Sequence, residues 1–140
     1  MNYLIDTNVL SEMRKIAKHK ADPQVTNWAR GVVASELFTS AVVIYELELG
    51  IQLLANRDSH AANVLRIWLD SGVIPTFADR ILSIDASIAK VAAGYSNPQT
   101  TPFRDSLIAA TASVHNLTVV TRNLSDFERF PSIRTLNPWD

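Results

Sequence analysis

Short apolar runs alternate with segments of helical pattern along the whole chain, and this alternation is the feature that most limits the fold. The strand-like runs are Tyr3–Ile5, Leu37–Ser40, Ile81–Ile84, Leu117–Thr121 and Ile133–Leu136. Strands that alternate with helices pair in parallel, and the connecting helices cover both faces of the sheet. We therefore predict an α/β fold, a three-layer α/β/α arrangement around a mainly parallel central sheet, in one domain spanning residues 1–140.

Capping residues and apolar spacing predict the helices between these strands. Asp6 or Thr7 caps the first helix, and Asp22 precedes Pro23 at the start of the second. Asp85 caps a later helix that ends near Gly94. The other predicted helical segments are Ala41–Leu54, Ser59–Ser71 with Gly72 near its end, Asp105 to about His115 with Asn116 after it, and a turn at Asp126–Phe127. The predicted loops are Arg14–Asp22 and Ser96–Pro102.

Composition excludes several classes of protein. Apolar residues make up 47% of the 140 residues and charged residues 19%, which is a globular balance rather than that of a disordered chain. The absence of Cys excludes zinc–thiolate sites and agrees with a reducing compartment. We see neither a signal-peptide pattern nor an apolar stretch of membrane-spanning length, and we expect a cytoplasmic protein. A net charge of −1 means that any surface for nucleic acid must be a local patch.

Acidic side chains are predicted to gather at one edge of the sheet. Asp6 follows the first strand, Asp105 opens a helix facing the same edge, and Glu46 lies in the helix after the second strand. Ligands bind at the carboxyl ends of the strands in such sheets. Because no Cys or His accompanies these carboxylates, the cluster suits Mg²⁺ or Mn²⁺ rather than zinc. Without a metal, the carboxylates would repel one another, which raises some of their pKa values.

Each acidic residue also has a purely structural interpretation. Asp6 could serve only as an N-cap, and Asp105 only as a favourable anion in the first turn of a helix. Asp126 could equally cap the last turn. Glu46 and Glu48 both lie at the border of the apolar stripe, so spacing alone does not choose between them.

Four motifs in order along the chain resemble those of a known protein family. They are Asp6-Thr7-Asn8-Val9, Glu46-Leu47 followed by Gly50, Asp105-Ser106-Leu107-Ile108-Ala109-Ala110, and Thr121-Arg122-Asn123 with Asp126-Phe127. Their order and spacing resemble the PIN-domain toxins of bacterial type II toxin–antitoxin modules, which are VapC-like. The resemblance extends to the terminal Asn137-Pro138-Trp139, which is similar to the ending of the FitB-like subgroup.

The resemblance implies a PIN-like domain with an Mg²⁺- or Mn²⁺-dependent endoribonuclease activity that hydrolyses RNA phosphodiester bonds. It also implies homodimers, and neutralisation by a small VapB-like antitoxin, with DNA contacted only through that antitoxin. Asp6, Glu46 and Asp105 carry over as catalytic, metal-binding carboxylates. No membrane partner is implied.

The fourth acidic position departs from the family pattern. Many PIN domains carry Asp where this chain has Asn123, which we retain as a catalytic candidate. A second metal could then be held weakly, through water, or with help from Asp126. Three further residues are candidate hydrogen-bond partners of the metal ligands. They are Thr7, Asn8 and Thr121.

Basic residues offer a candidate surface for an anionic partner. The basic run from Arg14 to Lys20, with Arg104 and Arg122, could neutralise RNA phosphates or antitoxin carboxylates, and the run could equally be a solvated loop.

Two other functions compete with the nuclease. A phosphatase of the haloacid dehalogenase type needs a second Asp two residues after the first, where this chain has Asn8. A non-catalytic PIN-like protein-binding module is the other alternative. The scattered histidines, His19, His60 and His115, are assigned no role.

Overall fold

The computed structural model covers residues 1–140 and contains a five-stranded sheet in which every neighbouring pair of strands is parallel. The strands are β1 (Tyr3–Ile5), β2 (Leu37–Ser40), β3 (Ile81–Leu82), β4 (Thr118–Val120) and β5 (Thr135–Leu136). Their spatial order is β3-β2-β1-β4-β5, so that β1 is central and Tyr3 lies opposite both Leu37 and Thr118. This arrangement, with helices flanking the sheet, confirms the predicted α/β fold.

Three of the seven helices begin at the capping residues that the sequence indicates. The helices are α1 (Thr7–Met13), α2 (Pro23–Arg30), α3 (Ala41–Ala55), α4 (Ser59–Ile67), α5 (Ile74–Phe77), α6 (Ala86–Tyr95) and α7 (Phe103–His115). The side chains of Asp6, Asp22 and Asp85 each accept a hydrogen bond from a backbone N–H of the following first turn, as expected of N-caps. Asn116 ends α7 in the left-handed conformation, with φ of 55°.

The helix predicted to end near Gly72 instead continues. After α4 the chain passes into a π-helical segment, Trp68–Val73, and then directly into α5. No glycine in the chain adopts a positive φ, so Gly72 does not supply the left-handed turn that would end a helix here. Leu69 and Val73 are buried in this segment, and their packing against the core holds the wider turn in place.

Two smaller differences also have local causes. The strand predicted over Ile81–Ile84 ends at Leu82, because its partner β2 ends at Ser40, opposite Leu82, and the chain turns there into α3. The basic segment after α1 is not wholly irregular, since Ile16–Lys18 forms a short 3₁₀ turn. No helix in the structure combines the length and the apolar character needed to cross a membrane.

Helix α7 packs deeply into the molecule and thereby sets the position of its first turn. All residues from Asp105 to Ala112 are buried, and Ile108 and Ala109 join the core formed by β1 and β4. The small side chains at 109, 110 and 112 allow a close approach of helix to sheet. Asp105 therefore lies where β1 and β4 end.

Ile108→Ala should lower the free energy of unfolding by about 3 kcal/mol, because Ile108 is fully buried and its truncation leaves a cavity. Val114→Ala on the same helix is the matched control: Val114 is 40% exposed, and its truncation should cost less than about 0.5 kcal/mol. Urea denaturation of both variants measures the difference. Equal losses would show that α7 does not pack as described.

Candidate functional site

Asp6 stands at the end of the central strand with its carboxylate firmly held. The residue is 1% exposed. Its Oδ1 accepts a hydrogen bond from the Thr7 backbone N–H at 2.8 Å, and its Oδ2 accepts one from the Thr121 hydroxyl at 2.7 Å. Thr121 directly follows β4, the neighbour of β1 in the sheet. Asp6 is therefore an N-cap, but its second oxygen is also fixed by a neighbouring strand.

Glu46 faces the same edge from α3, and Glu48 does not. The Glu46 Oε1 accepts a hydrogen bond from the Thr7 hydroxyl at 2.6 Å. Glu48 pairs with Arg66, whose Nη2 lies 2.7 Å from Oε2, and also accepts from Gln52. These bonds, that from Arg66 above all, lower the pKa of Glu48 to about 2. The tertiary structure thus separates two glutamates that helical spacing leaves equivalent.

The guanidinium of Arg104 lies between the three carboxylates. Its Nε donates to Glu46 Oε2 at 2.9 Å, and its Nη2 donates to Glu46 Oε1 at 2.9 Å and also to Asp6 Oδ1. Its Nη1 lies 3.3 Å from Asp105 Oδ1. Carboxylates from three separate parts of the chain therefore meet around one cation, and we call this group the acidic cluster.

The Arg104 contact changes the ionisation of Glu46. Burial raises the pKa of Glu46, but hydrogen bonds from Arg104 and Thr7 outweigh that effect, and the net pKa is lowered. Burial likewise works against the charged form of Arg104, yet the hydrogen bonds and charges of Glu46 and Asp6 raise its pKa. The pair is consequently ionised at neutral pH.

Asp105 behaves in the opposite way. Burial raises its pKa, the charges of Asp126 and Asp6 add to the rise, and Arg104 only partly offsets it. Repulsion from Asp126 and Asp6 therefore adds to the effect of burial on the pKa of Asp105, while at Glu46 the hydrogen bonds from Arg104 and Thr7 outweigh burial. Arg104, expected from the sequence to contact RNA phosphates or antitoxin carboxylates, thus binds the chain's own carboxylates. In the sequence, only the position of Arg104 next to Asp105 indicated that it could contact the chain's own carboxylates.

The oxygen donors of the acidic cluster match the chemistry of a hard divalent cation. Four carboxylate oxygens from Asp6, Glu46 and Asp105 contact the guanidinium, and no thiol or imidazole lies among them. With the guanidinium between them, no three acidic or imidazole side chains lie close enough together to hold one metal ion. The donor set fits a metal, and the space among the donors is filled by Arg104.

At the fourth position the structure distinguishes Asn123 from Asp126. Asn123 is exposed, its side chain makes no hydrogen bond, and its backbone N–H donates to the Thr121 hydroxyl at 3.1 Å. The charge of Asp126 acts on Asp105, as its effect on the pKa shows. Asp126 therefore adds negative charge that raises the pKa of Asp105, while the backbone of Asn123 contacts Thr121.

Other candidate residues support the surroundings of the cluster rather than the cluster itself. The amide oxygen of Asn8 accepts a hydrogen bond from the backbone N–H of Arg122 at 3.3 Å. The guanidinium of Arg122 packs over the ring of Trp139, 4.8 Å from its centroid, and Arg14 packs over Trp68 at 5.9 Å. Asn8 thus anchors the loop after β4, and these two arginines lie against aromatic rings.

An apolar groove of about 400 Å³ adjoins the acidic cluster. Glu46 and Arg104 line one end of it, and the exposed rings of Tyr45 and Phe103 line the remainder together with smaller apolar side chains. A polar, charged site therefore opens onto a wide apolar surface. Such patches on a small protein commonly mark an interaction surface.

A family model described as PIN domain matches residues 3–132. The chain belongs to the PIN-domain family. It is 34% identical over 141 residues to Toxin FitB of Neisseria gonorrhoeae, and the alignment covers 97% of each chain. It is 30% identical over 142 residues to VapC ribonuclease Y4jK of Sinorhizobium fredii, covering 98% of this chain and 97% of the relative. The structure of FitAcB from Neisseria gonorrhoeae superposes with a TM-score of 0.85 at 32% identity, covering 98% of both chains.

These similarities confirm the resemblance that the four motifs indicate. The PIN model spans all of them, from Asp6 to Phe127, and the solved structure agrees with the parallel α/β fold over nearly the whole chain. One of the two relatives is named as a toxin and the other as a ribonuclease.

Asp6→Asn and Asp105→Asn should change the stability of the metal-free PIN domain in opposite directions at pH 7. Asp6→Asn should cost about 2 kcal/mol, because it removes the charged acceptor of Arg104 and sets an NH₂ group among hydrogen-bond donors. Asp105→Asn should be neutral or stabilising. Since the folded-state pKa of Asp105 is raised, its ionised form weakens the fold at neutral pH, and the substitution removes that charge.

The measurement is urea denaturation in EDTA at several pH values. The advantage of Asp105→Asn over the unmodified chain should shrink as the pH falls through the raised pKa and vanish below the ordinary aspartate value of 3.8. A loss for Asp105→Asn equal to that for Asp6→Asn would contradict the assignment of strain to Asp105.

Proposed function

We propose that this protein is an Mg²⁺- or Mn²⁺-dependent endoribonuclease that hydrolyses RNA phosphodiester bonds and acts as the toxin of a toxin–antitoxin pair, with residues 1–140 forming one PIN domain. The observation that carries this proposal is the gathering of Asp6, Glu46 and Asp105 around one cation at the carboxyl edge of the sheet. The names of the relatives, a toxin and a VapC ribonuclease, support the same activity.

The carboxylates of Asp6, Glu46 and Asp105 would hold the metal. When bound, it supplies a water of lowered pKa and positive charge for the phosphate oxygens. The rest of the site keeps the ligands in place: Thr121 holds one Asp6 oxygen, and the Thr7 hydroxyl orients Glu46. Asp126 adds negative charge that raises the pKa of Asp105, and with Asn123 it would help to hold a second metal.

The alternative enzyme class has little support. A haloacid dehalogenase-type phosphatase would need an acid at position 8, where the chain has Asn8. That side chain instead accepts a hydrogen bond from the Arg122 backbone, a structural role. A non-catalytic PIN-like module would not require three buried or half-buried carboxylates to share a single counter-ion. We therefore favour the nuclease.

Asp6→Asn and Asp105→Asn should each abolish cleavage of single-stranded RNA, because each removes a charged ligand while it keeps the size of the side chain. Glu48→Gln is the matched control, since Glu48 pairs with Arg66 away from the cluster, and it should retain near-normal activity. The assay measures cleavage with Mg²⁺ or Mn²⁺ against an EDTA blank. Undiminished, EDTA-resistant cleavage by a folded Asp6→Asn protein would contradict the metal-nuclease mechanism.

The outer face of α3 supports the proposed homodimer. Tyr45, Leu49 and Leu53 recur every four residues on that face and are 66%, 40% and 58% exposed. Three large apolar side chains in one exposed row on a chain of this size indicate a surface that another protein covers. The row begins at the apolar groove beside the acidic cluster, because Tyr45 belongs to both.

Leu53→Glu should convert a dimer into a monomer, because it places a charge in the exposed apolar row of α3. Val33→Glu is the control, since Val33 is 63% exposed but lies in the segment before β2. Light scattering at micromolar concentration gives the mass directly. If the unmodified chain itself has a mass near 15.5 kDa, the dimer proposal is wrong.

The remaining partners follow from the toxin assignment. We propose neutralisation in the cytoplasm by a small VapB-like antitoxin, with DNA contacted only through the antitoxin. A second set of exposed apolar residues, Val64 and Ile67 on α4, lies outside the α3 row and offers additional surface for such a protein. The name of the FitB relative as a toxin supports this partner class.

A further inference from the structure

We propose that Arg104 is a built-in competitor of the divalent cation: its guanidinium occupies the acidic cluster in the metal-free protein and leaves the carboxylates when a metal binds. The proposal rests on the metal-dependent function proposed above and deepens it by assigning how the site changes between its two states. The competing cation is a residue of this chain and not one supplied by a partner.

The contacts show why both cations cannot occupy the cluster together. The guanidinium donates to oxygens of Asp6, Glu46 and Asp105, and both oxygens of Glu46 are engaged. A metal held by these carboxylates would use the same lone pairs. It would also place a double positive charge beside a half-buried guanidinium, where repulsion between like charges is strong. One of the two cations must therefore leave.

Arg104 is able to leave, because no hydrogen bond outside the acidic cluster holds its side chain. All its side-chain hydrogen bonds go to the three carboxylates, and the side chain is 29% exposed at the mouth of the site. Arg80 differs, because its guanidinium donates to the backbone carbonyls of Ala34, Leu37 and Thr76 and so connects separate segments of the chain. Arg104 can rotate about its side-chain bonds without any change in α7.

Two of the three ligands keep other hydrogen bonds when the guanidinium departs. Asp6 keeps the hydrogen bonds from the Thr7 N–H and the Thr121 hydroxyl, and Glu46 keeps the bond from the Thr7 hydroxyl. Asp6 and Glu46 therefore have a second, independent set of contacts in the absence of Arg104, whereas the Asp105 carboxylate, which accepts only from Arg104, is placed by the burial of the first turn of α7. A metal would meet oriented donors rather than a collapsed or unfolded site.

The test compares Mn²⁺ binding by the full chain and its variants with titration calorimetry, after removal of metal with EDTA. Arg104→Gln should bind Mn²⁺ on the order of tenfold more tightly, because the competing charge is gone. The Mn²⁺ affinity of Arg104→Lys should lie between those of Arg104→Gln and the unmodified chain, since lysine keeps the charge but lacks the planar set of donors. If Arg104→Gln fails to fold, Arg104→Lys takes its place in the test. Arg66→Gln is the matched control, because it removes an equal charge from the exposed pair with Glu48, and its affinity should not change.

Two further readouts follow the arginine itself. Arg104→Gln should melt at a lower temperature without metal but gain more from Mn²⁺ than the unmodified chain does. In NMR spectra of the unmodified chain, Mg²⁺ should shift the Nε–H signal of Arg104, assigned by its loss in Arg104→Gln, and leave that of Arg66 in place.

Several outcomes would overturn the proposal. Unchanged or weaker Mn²⁺ binding by Arg104→Gln would show that Arg104 does not compete, and equal gains in Arg66→Gln would show a bulk charge effect. In either case, metal-dependent RNA cleavage by the unmodified chain would leave the proposed function intact. If neither the unmodified chain nor any variant binds Mn²⁺, both the competition and the proposed function are wrong.

Discussion

The site depends on one physical interaction, the sharing of the Arg104 guanidinium by three carboxylates. Asp6 is almost fully buried, and a buried carboxylate without a counter-charge is strongly destabilising. A guanidinium can donate hydrogen bonds to several carboxylates at once, because its N–H groups point in different directions within one plane. Lysine, a point charge, could not bind Glu46 with two donors and still reach Asp6 and Asp105. The acidic cluster is stable without metal because it contains this residue.

The sheet brings the members of the cluster together. Parallel strands end at a common edge, so the residues that follow β1 and β4, Asp6 and Thr121, become neighbours although 115 positions separate them. Helix α7 adds Arg104 and Asp105 from its first turn, and small residues further along the helix let it lie close to the sheet. The geometry of the site is thus a consequence of strand order and of packing in the core.

Helix α3 shows how one element serves two surfaces. Its inward side carries Glu46 to the acidic cluster, and Val43, Leu47 and Ile51 to the core. Its outer side carries the exposed apolar row that begins at Tyr45. Because Tyr45 and Glu46 are adjacent in the chain, a protein bound to that row would lie beside the acidic cluster. Occupation of one surface would then alter access to the other.

The sequence alone determined the fold class, the caps and the three carboxylates, because periodicity, capping and ordered motifs are local signals. It offered Asp6 or Thr7 as the first helix cap and predicted a helix end near Gly72, and helical spacing alone left Glu46 and Glu48 equivalent, although the resemblance of the motifs favoured Glu46. Only the tertiary structure showed that Glu46 contacts Thr7 and Arg104 while Glu48 pairs with Arg66, and that Arg104 forms ion pairs with the chain's own carboxylates. The reason is distance along the chain: Arg104 lies 98 residues from Asp6 and 58 from Glu46, and no local pattern encodes contacts between segments that meet only after the sheet has formed.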